Sequence, residues 1–298
     1  MDPSRRVLGV ALALTSATCF GVMPILTKIV YDDGAGTFGV LSVRFTLAAT
    51  VLYGLAWLRR EPLPRGRQLR QLLLLGGIGY VAESLFYFSA LERISAGLTS
   101  LLLYVYPALV VLLAAVLLRH RPRPVALLCV GVATAGSALA IGPVAGGQTV
   151  GVLLGLGAAV SYAVYVVLSA RATAGLGPFA AAAVIMAACA AVYDVLALST
   201  HATLPSVPSA WLALLGVALI GTVVAVAAFF GALALLGPGD TAVVSTIEPV
   251  VSVLAAFVVL GERLTGVQIL GGLLVLAAVV VLARARPTED VPRELAST

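Results

Sequence analysis

Apolar stretches, each long enough to cross a lipid bilayer as a helix, follow one another along nearly the whole chain of 298 residues. A span needs about 20 predominantly apolar residues, and runs of that kind occupy about 7–30, 37–58, 70–91, 95–118, 124–141, 151–171, 178–199, 210–235, 241–259 and 265–284. Eight of the nine boundaries carry a chemical mark: Asp32-Asp33-Gly34, Arg59-Arg60-Glu61-Pro62, Glu92-Arg93, Arg119-His120-Arg121-Pro122, Gly142-Pro143, Gly177-Pro178, Pro205 to Pro208, and Gly237-Pro238-Gly239-Asp240. With 61% hydrophobic and 10% charged residues, against roughly 25% charged in soluble domains, the chain cannot cover itself in polar surface. The expectation is an all-α membrane protein of ten transmembrane helices, with no room for a soluble catalytic or binding domain. The first run continues past signal-peptide length without a small-residue cleavage site and reads as a retained span.

Charge distribution gives an independent check. If ten spans place both termini on one face, that face carries 14 of the 18 Lys and Arg residues, as cytoplasmic ends do. The other face has Lys28, Arg93 and Arg263, and Arg44 lies within a span. Both termini are therefore expected in the cytoplasm. A composition of 17 Arg to one Lys fits a bacterial inner membrane. The net charge of +5 is scattered between apolar runs rather than gathered in a patch, which argues against a nucleic-acid partner. Cys19, Cys129 and Cys189 all fall inside apolar runs and read as small buried hydrophobes.

The chain also repeats itself. An offset of 142 places Gly9-Val10 on Gly151-Val152, Phe20 on Tyr162, Gly79 on Gly221, Phe88 on Phe230, Pro107 on Pro249 and Arg121 on Arg263. Five spans per half is an odd number, so the halves cross the membrane in opposite senses. The expected organisation is a first repeat over 1–142, a second, inverted repeat over 143–286 and a cytoplasmic tail over 287–298. Inverted repeats are the architecture of many secondary transporters, which hold their substrate near the midplane between the halves.

The closing segment STIEPVVSVLAAFVVLGERLTGVQILGGLLVLAAVVVLA, with Glu248-Pro249, Gly261-Glu262-Arg263, Gln268 and Gly271-Gly272, resembles the EamA-domain branch of the drug/metabolite transporter superfamily. Arg44-Phe45 and the stretch from Phe86 to Leu118 extend the resemblance over the first half. It implies a ten-helix inner-membrane transporter, usually an exporter, and the aromatic-rich first half looks most like the family's amino-acid exporters. Arg119-His120-Arg121 stands where the second half has Gly261-Glu262-Arg263, a departure that weakens a symmetric role for the Gly-Glu pair.

Candidate site residues follow from depth. Glu83 lies near mid-span, where a carboxylate is costly unless paired or hydrated. Arg44, at matching depth, is its expected partner in a structural ion pair; the alternative is exposure of Glu83 to a cavity, where it binds a substrate ammonium or a proton. Tyr80, Glu83, Ser84 and Tyr87 share one helical face. Tyr104, Tyr162, Tyr165 and Phe20 add aromatics at internal depth, whereas Tyr31, Tyr53, Tyr193, Trp57 and Trp211 fit an interfacial belt. Phenol rings attract apolar bodies and cations, so the lining suits small amphipathic zwitterions. Glu248 is the remaining internal carboxylate, with Tyr106 as its repeat-mate. Its neighbour Pro249 frees the Ser245 carbonyl. Pro24, Pro107, Pro249, Gly79 and Gly221 are the hinge candidates, and Lys28 reads as a snorkelling or loop-pairing residue near Asp32 and Asp33.

No His/Cys/carboxylate cluster, phosphate loop or nucleophile-base pair is apparent, so no cofactor, metal or enzymatic activity is expected. The expected partners are a small-molecule substrate and the lipid bilayer. A chain that carries both repeats is expected to act as a monomer, with a dimer through its small-residue faces as the alternative. The reading is a transporter working by alternating access, with a carrier of another metabolite or drug-like solute, facilitative or proton-coupled, as the runner-up.

Overall fold

The computed structural model describes residues 3–117, 124–141, 148–173 and 175–284. The breaks expected at Arg119 to Pro122 and Gly142-Pro143, and the tail over 287–298, lie outside the described residues.

The described residues form helices α1 (Pro3–Asp32), α2 (Thr37–Leu58), α3 (Gly66–Leu91), α4 (Ala96–Leu103), α5 (Tyr106–Leu117), α6 (Pro124–Ile141), α7 (Thr149–Ala172) and α8 (Pro178–Ser199). They are followed by α9 (Pro208–Ala218, continuing through Ala225–Ser245), α10 (Glu248–Leu260) and α11 (Gly266–Arg284). Among the described residues, six helices are long and apolar enough to cross a membrane: Ser4–Asp32, Thr37–Leu58, Gly66–Leu91, Thr149–Ser169, Pro178–Ser199 and Pro208–Leu236. Four shorter apolar helices accompany them, at Ala96–Val110, Leu127–Ala140, Glu248–Leu260 and Gly266–Leu282.

The surface is apolar. Trp57 is 81% exposed, Leu198 78% and Val258 76%, while Arg44, Glu83, Ser84, Thr99 and Thr222 are buried. A protein whose solvent is hydrocarbon gains little by hiding leucines, so its helices associate through close packing and internal hydrogen bonds. Glycines make that approach tight: a Cβ on Gly271 of α11 would sit 2.4 Å from the Gly136 carbonyl of α6, and one on Gly136 would sit 2.7 Å from the Gly271 carbonyl. Gly76 of α3 approaches α8 in the same way, and the Gly76 carbonyl accepts from Cys189 Sγ at 3.2 Å.

Two irregularities interrupt the helices, each occurring once in either half. A single π-helical turn widens α3 at Leu75–Tyr80 and α9 at Leu219–Val224, so Gly79 and Gly221 both fall inside such turns. Such turns occur frequently at functional sites. The second irregularity is a break, at Tyr104 and Val105 between α4 and α5 and at Thr246 and Ile247 between α9 and α10. These two breaks are separated by the 142-residue offset of the sequence repeat. Pro107 and Pro249 are the second residues of the helices after the breaks, where their missing N–H groups leave gaps in the helical ladder.

Two boundaries differ from the sequence expectation: the span expected over 95–118 breaks at Tyr104 and Val105, and the break expected at Gly237 to Asp240 is displaced. Helical backbone runs through Gly237-Pro238-Gly239-Asp240 to Ser245, and the interruption falls at Thr246 and Ile247. Pro238 removes one helical hydrogen bond, whereas Pro249 denies Ser245 its partner where another donor waits in the interior.

Candidate functional site

A continuous chain of aromatic rings crosses the interior. Tyr193 of α8 stacks on Phe45 of α2 at 5.5 Å, and Phe45 meets Tyr80 of α3 edge-on at 5.9 Å. Tyr80 lies 5.2 Å from Tyr165 of α7, which stacks on Tyr162 at 5.9 Å. Tyr162 meets Tyr106 of α5 at 4.6 Å, and Tyr106 meets Tyr104 at 6.1 Å. Tyr80, Tyr106, Tyr162 and Tyr165 remain partly accessible although they lie inward on their helices. Their rings meet where α3, α5 and α7 converge.

Charged groups flank this chain. Arg44 of α2, only 2% exposed, lies over the rings of Phe45 and Phe88 at 4.8 and 4.9 Å. Its Nε donates to Thr222 Oγ1 at 2.9 Å, and the Thr222 hydroxyl donates to the Val217 carbonyl at 3.0 Å. The π-helical turn of α9 thus presents the group that orients the guanidinium. Glu83 of α3, 8% exposed, stands one turn beyond the π-helical turn of its own helix. The expected Arg44–Glu83 ion pair does not form. No nitrogen of Arg44 comes within 4.0 Å of a Glu83 oxygen; among the described residues, the ion pair at that distance is Arg93–Glu92, at 3.0 Å. The guanidinium instead rests on the rings of Phe45 of α2 and Phe88 of α3 and bonds Thr222 of α9.

Glu248 occupies the other flank, at the first residue of α10. Tyr104 Oη donates to the Ser245 carbonyl at 2.7 Å and approaches Glu248 Oε2 at 3.0 Å. The carbonyl freed by Pro249 therefore takes its hydrogen bond from the break in the first half. α1 closes this region from the other side. A Cβ on Gly21 would meet the Glu248 carbonyl at 2.8 Å, and Ser252 Oγ donates to the Gly21 carbonyl at 2.9 Å. Pro24 lies one turn beyond Gly21, buried inside α1.

The other sequence-predicted residues divide. Tyr80, Tyr162, Tyr165, Glu83 and Glu248 all belong to this interior. Ser84 is 1% exposed, and its hydroxyl is engaged with Tyr193 Oη at 2.9 Å and the Tyr80 carbonyl at 2.7 Å. Tyr87, 4% exposed, turns its hydroxyl to Ser100 Oγ at 3.3 Å. Tyr104 is 5% exposed and acts as a clamp between the breaks. These three are buried and join neighbouring backbone or side chains. Phe20 is half-buried and takes part in no ring pair among the described residues.

The belt assignment needs two corrections. Tyr193 is fully buried, with its hydroxyl 2.8 Å from the Val81 carbonyl, because its helix face meets α2 and α3 rather than lipid. Tyr31 also turns inward, to Thr37 Oγ1 at 2.9 Å and the Phe88 carbonyl at 3.2 Å. Trp57, Tyr53 and Trp211 are exposed. Phe45, Tyr106, Tyr193 and Thr222 are residues of this interior that depth along the chain does not mark. The repeat offset pairs Tyr106 with Glu248, and that signal could have found it.

Carboxylates near the loops tie helix ends. Glu262 accepts from the N–H groups of Ala96 and Gly97 at 2.9 and 3.2 Å, capping α4. Glu61 accepts from Ala180 at the start of α8 at 2.8 Å. Asp33 accepts from Ser206 N at 2.5 Å, Ser206 Oγ at 2.9 Å and Val207 N at 3.3 Å. The Ser206 N–H foremost holds the Asp33 carboxyl below the usual range. Asp194 accepts from Ser42 at 2.5 Å and from Thr46 at 3.2 Å, joining α8 to α2. Glu92 accepts from Thr37, and Lys28 lies within reach of the charges of Glu262, Asp32 and Glu92. Among the described residues no three His, Cys, Asp or Glu side chains group to hold a metal ion.

This interior can be set beside known proteins. The model of the EamA-like transporter family matches twice, over residues 7–142 and 149–284. A probable terminal-alkyne amino-acid exporter of Streptantibioticus cattleyicolor is 31% identical over 289 residues, 92% of each chain. An uncharacterized transporter of Archaeoglobus fulgidus is 27% identical over 282 residues, covering 93% of this chain and 96% of its own. A solved crystal structure, 23% identical, superposes with a TM-score of 0.65 over 92% of this chain and 95% of that one, which shows a shared fold. A multi-pass helical chain matched once in each half by the same family model, with an aromatic interior between its broken helices, belongs to the EamA-like transporter family.

Proposed function

We propose that this transporter exports small amphipathic metabolites, foremost amino acids including aromatic ones, by alternating access through a central space. The observation that carries the reading is the ring chain from Tyr193 to Tyr104, flanked by Arg44, Glu83 and Glu248. Aromatic faces offer dispersion contact to an apolar side chain and cation–π attraction to an ammonium. The name of the Streptantibioticus relative supports an amino-acid substrate and export. Six long and four shorter apolar helices support ten crossings, the recurrence of helix breaks supports inverted repeats over 1–142 and 143–286, and the Arg distribution supports cytoplasmic termini in an inner membrane. In this reading the π-helical turns containing Gly79 and Gly221 and the breaks before Pro107 and Pro249 flex as the halves rock. Pro24 is the corresponding candidate in α1. The chain acts as a monomer without a cofactor.

The partly accessible carboxylate of Glu248 favours one variant, in which a proton moves against the substrate. The test is counterflow of labelled amino acids in proteoliposomes containing only this protein, with and without an imposed pH gradient. Saturable counterflow of an amino acid supports the reading, and acceleration by the gradient supports the proton-coupled variant. Folded protein that moves no amino acid refutes the substrate class and points to another metabolite or drug-like solute.

A further inference from the structure

Arg44 and Glu83 are opposite charges, both more than nine-tenths buried, within electrostatic reach of one another and yet unpaired. Arg44 Nε is engaged by Thr222, and its guanidinium lies over the rings of Phe45 and Phe88. Its remaining hydrogen-bond neighbour is the Tyr80 hydroxyl, and the Glu83 carboxylate makes no side-chain hydrogen bond within the described residues. Yet no fully covered polar side-chain atom lacks a partner among those residues. The free ends of both groups therefore open onto accessible space. Tyr80 lies within reach of both charges, and its ring begins the aromatic run toward Tyr165 and Tyr162.

An ordinary buried ion pair would close this gap, because a separated pair forgoes most of its attraction while keeping its desolvation cost. Here Thr222, supplied by the π-helical turn of α9, and the two phenylalanine rings prevent closure. The arrangement is complementary to a molecule bearing an ammonium and a carboxylate on one carbon. Resting on the transport reading above, we infer that Arg44 and Glu83 form a zwitterion receptor: Arg44 binds the carboxylate of an α-amino acid, Glu83 binds its ammonium, and the rings from Tyr80 to Tyr162 receive its side chain. Arg44 is thus a specificity-determining residue rather than a packing counter-ion, and Thr222 is its positioning residue.

The experiment is competition against counterflow of the best-carried amino acid by its two one-ended analogues. For L-phenylalanine these are phenethylamine, which lacks the carboxylate, and 3-phenylpropionate, which lacks the ammonium. In the unmodified protein each analogue is expected to compete at least about tenfold more weakly than the amino acid, since hydrogen bonds to charged groups contribute at that level. Arg44→Gln should weaken the amino acid by about tenfold or more and leave phenethylamine within about twofold; Glu83→Gln should do the same with 3-phenylpropionate spared. A merely structural pair cannot produce that crossed pattern, because its loss weakens all three ligands alike.

Equal competition by either analogue in the unmodified protein overturns the receptor, and this arm needs no variant to fold. Uniform weakening, or no change, in folded variants also overturns it. Amino-acid flux that ignores both end groups removes this inference and leaves the transporter reading intact, whereas folded protein carrying no amino acid removes both.

Discussion

Tyr104→Phe tests whether the two helix breaks hold each other. Pro249 has no N–H to return to Ser245, and Tyr104 Oη supplies the missing donor at 2.7 Å while approaching Glu248 at 3.0 Å. Phenylalanine keeps the ring against Tyr106 and deletes that hydroxyl. A buried acceptor left without a donor costs about 1–3 kcal/mol, and side-chain bonds between membrane helices average about 0.6 kcal/mol with an upper end near 1.7. The expected loss is thus about 1–2 kcal/mol, read by reversible unfolding of the purified protein in mixed micelles. The decisive comparison is the Pro249→Ala background. Alanine restores an N–H that can reach the Ser245 carbonyl four residues earlier, so the cost of Tyr104→Phe should fall by at least half there. A cost below about 0.3 kcal/mol in the native background, or one of the same size in both backgrounds, refutes the clamp.

Three further outcomes are expected. Gly271→Ala drives a Cβ to 2.4 Å from the Gly136 carbonyl and should cost about 1–3 kcal/mol, whereas Gly54→Ala, with nothing within 4 Å, should be neutral or stabilising in the same unfolding assay. Glu262→Ala removes the acceptor for Ala96 and Gly97 N–H and should cost about 1 kcal/mol; an unchanged midpoint would mean that Ser95, which accepts from Leu98 N, caps α4 alone. Asp33 has a folded-state pKa below its unfolded value, so its contribution is present above the unfolded value of about 3.9 and is lost as pH falls through the folded one. Asp33→Asn should flatten the loss of thermal stability below about pH 4, and an unaltered acid limb would show that the Ser206 contact carries no stability.

Much of the site could be read from depth along the chain. Glu83, Arg44 and Glu248 stand out because a charge far from a span end is rare, and Tyr80, Tyr162 and Tyr165 because phenols at internal depth do not fit a belt. The free Ser245 carbonyl follows from Pro249 by covalent geometry alone. Tyr193 departs from the belt because distance from a helix end says how deep a residue lies, not which way it faces. Ser84, on the same face as Glu83, is closed off because Tyr193 arrives from α8, far away in sequence.

What is local was legible along the chain: where apolar helices run, which prolines free carbonyls, which charges lie deep, and a repeat offset of 142 residues. Only the tertiary structure decided how those elements meet. In hydrocarbon an apolar helix has no strong contrast between its inner and outer faces, so its rotation and partners are chosen by close contacts such as Gly136 against Gly271 and by single hydrogen bonds. That choice set Thr222 beside Arg44 and kept Arg44 from closing on Glu83, leaving opposite charges unpaired in the interior. No spacing along the chain encodes that gap, because it arises from three helices converging.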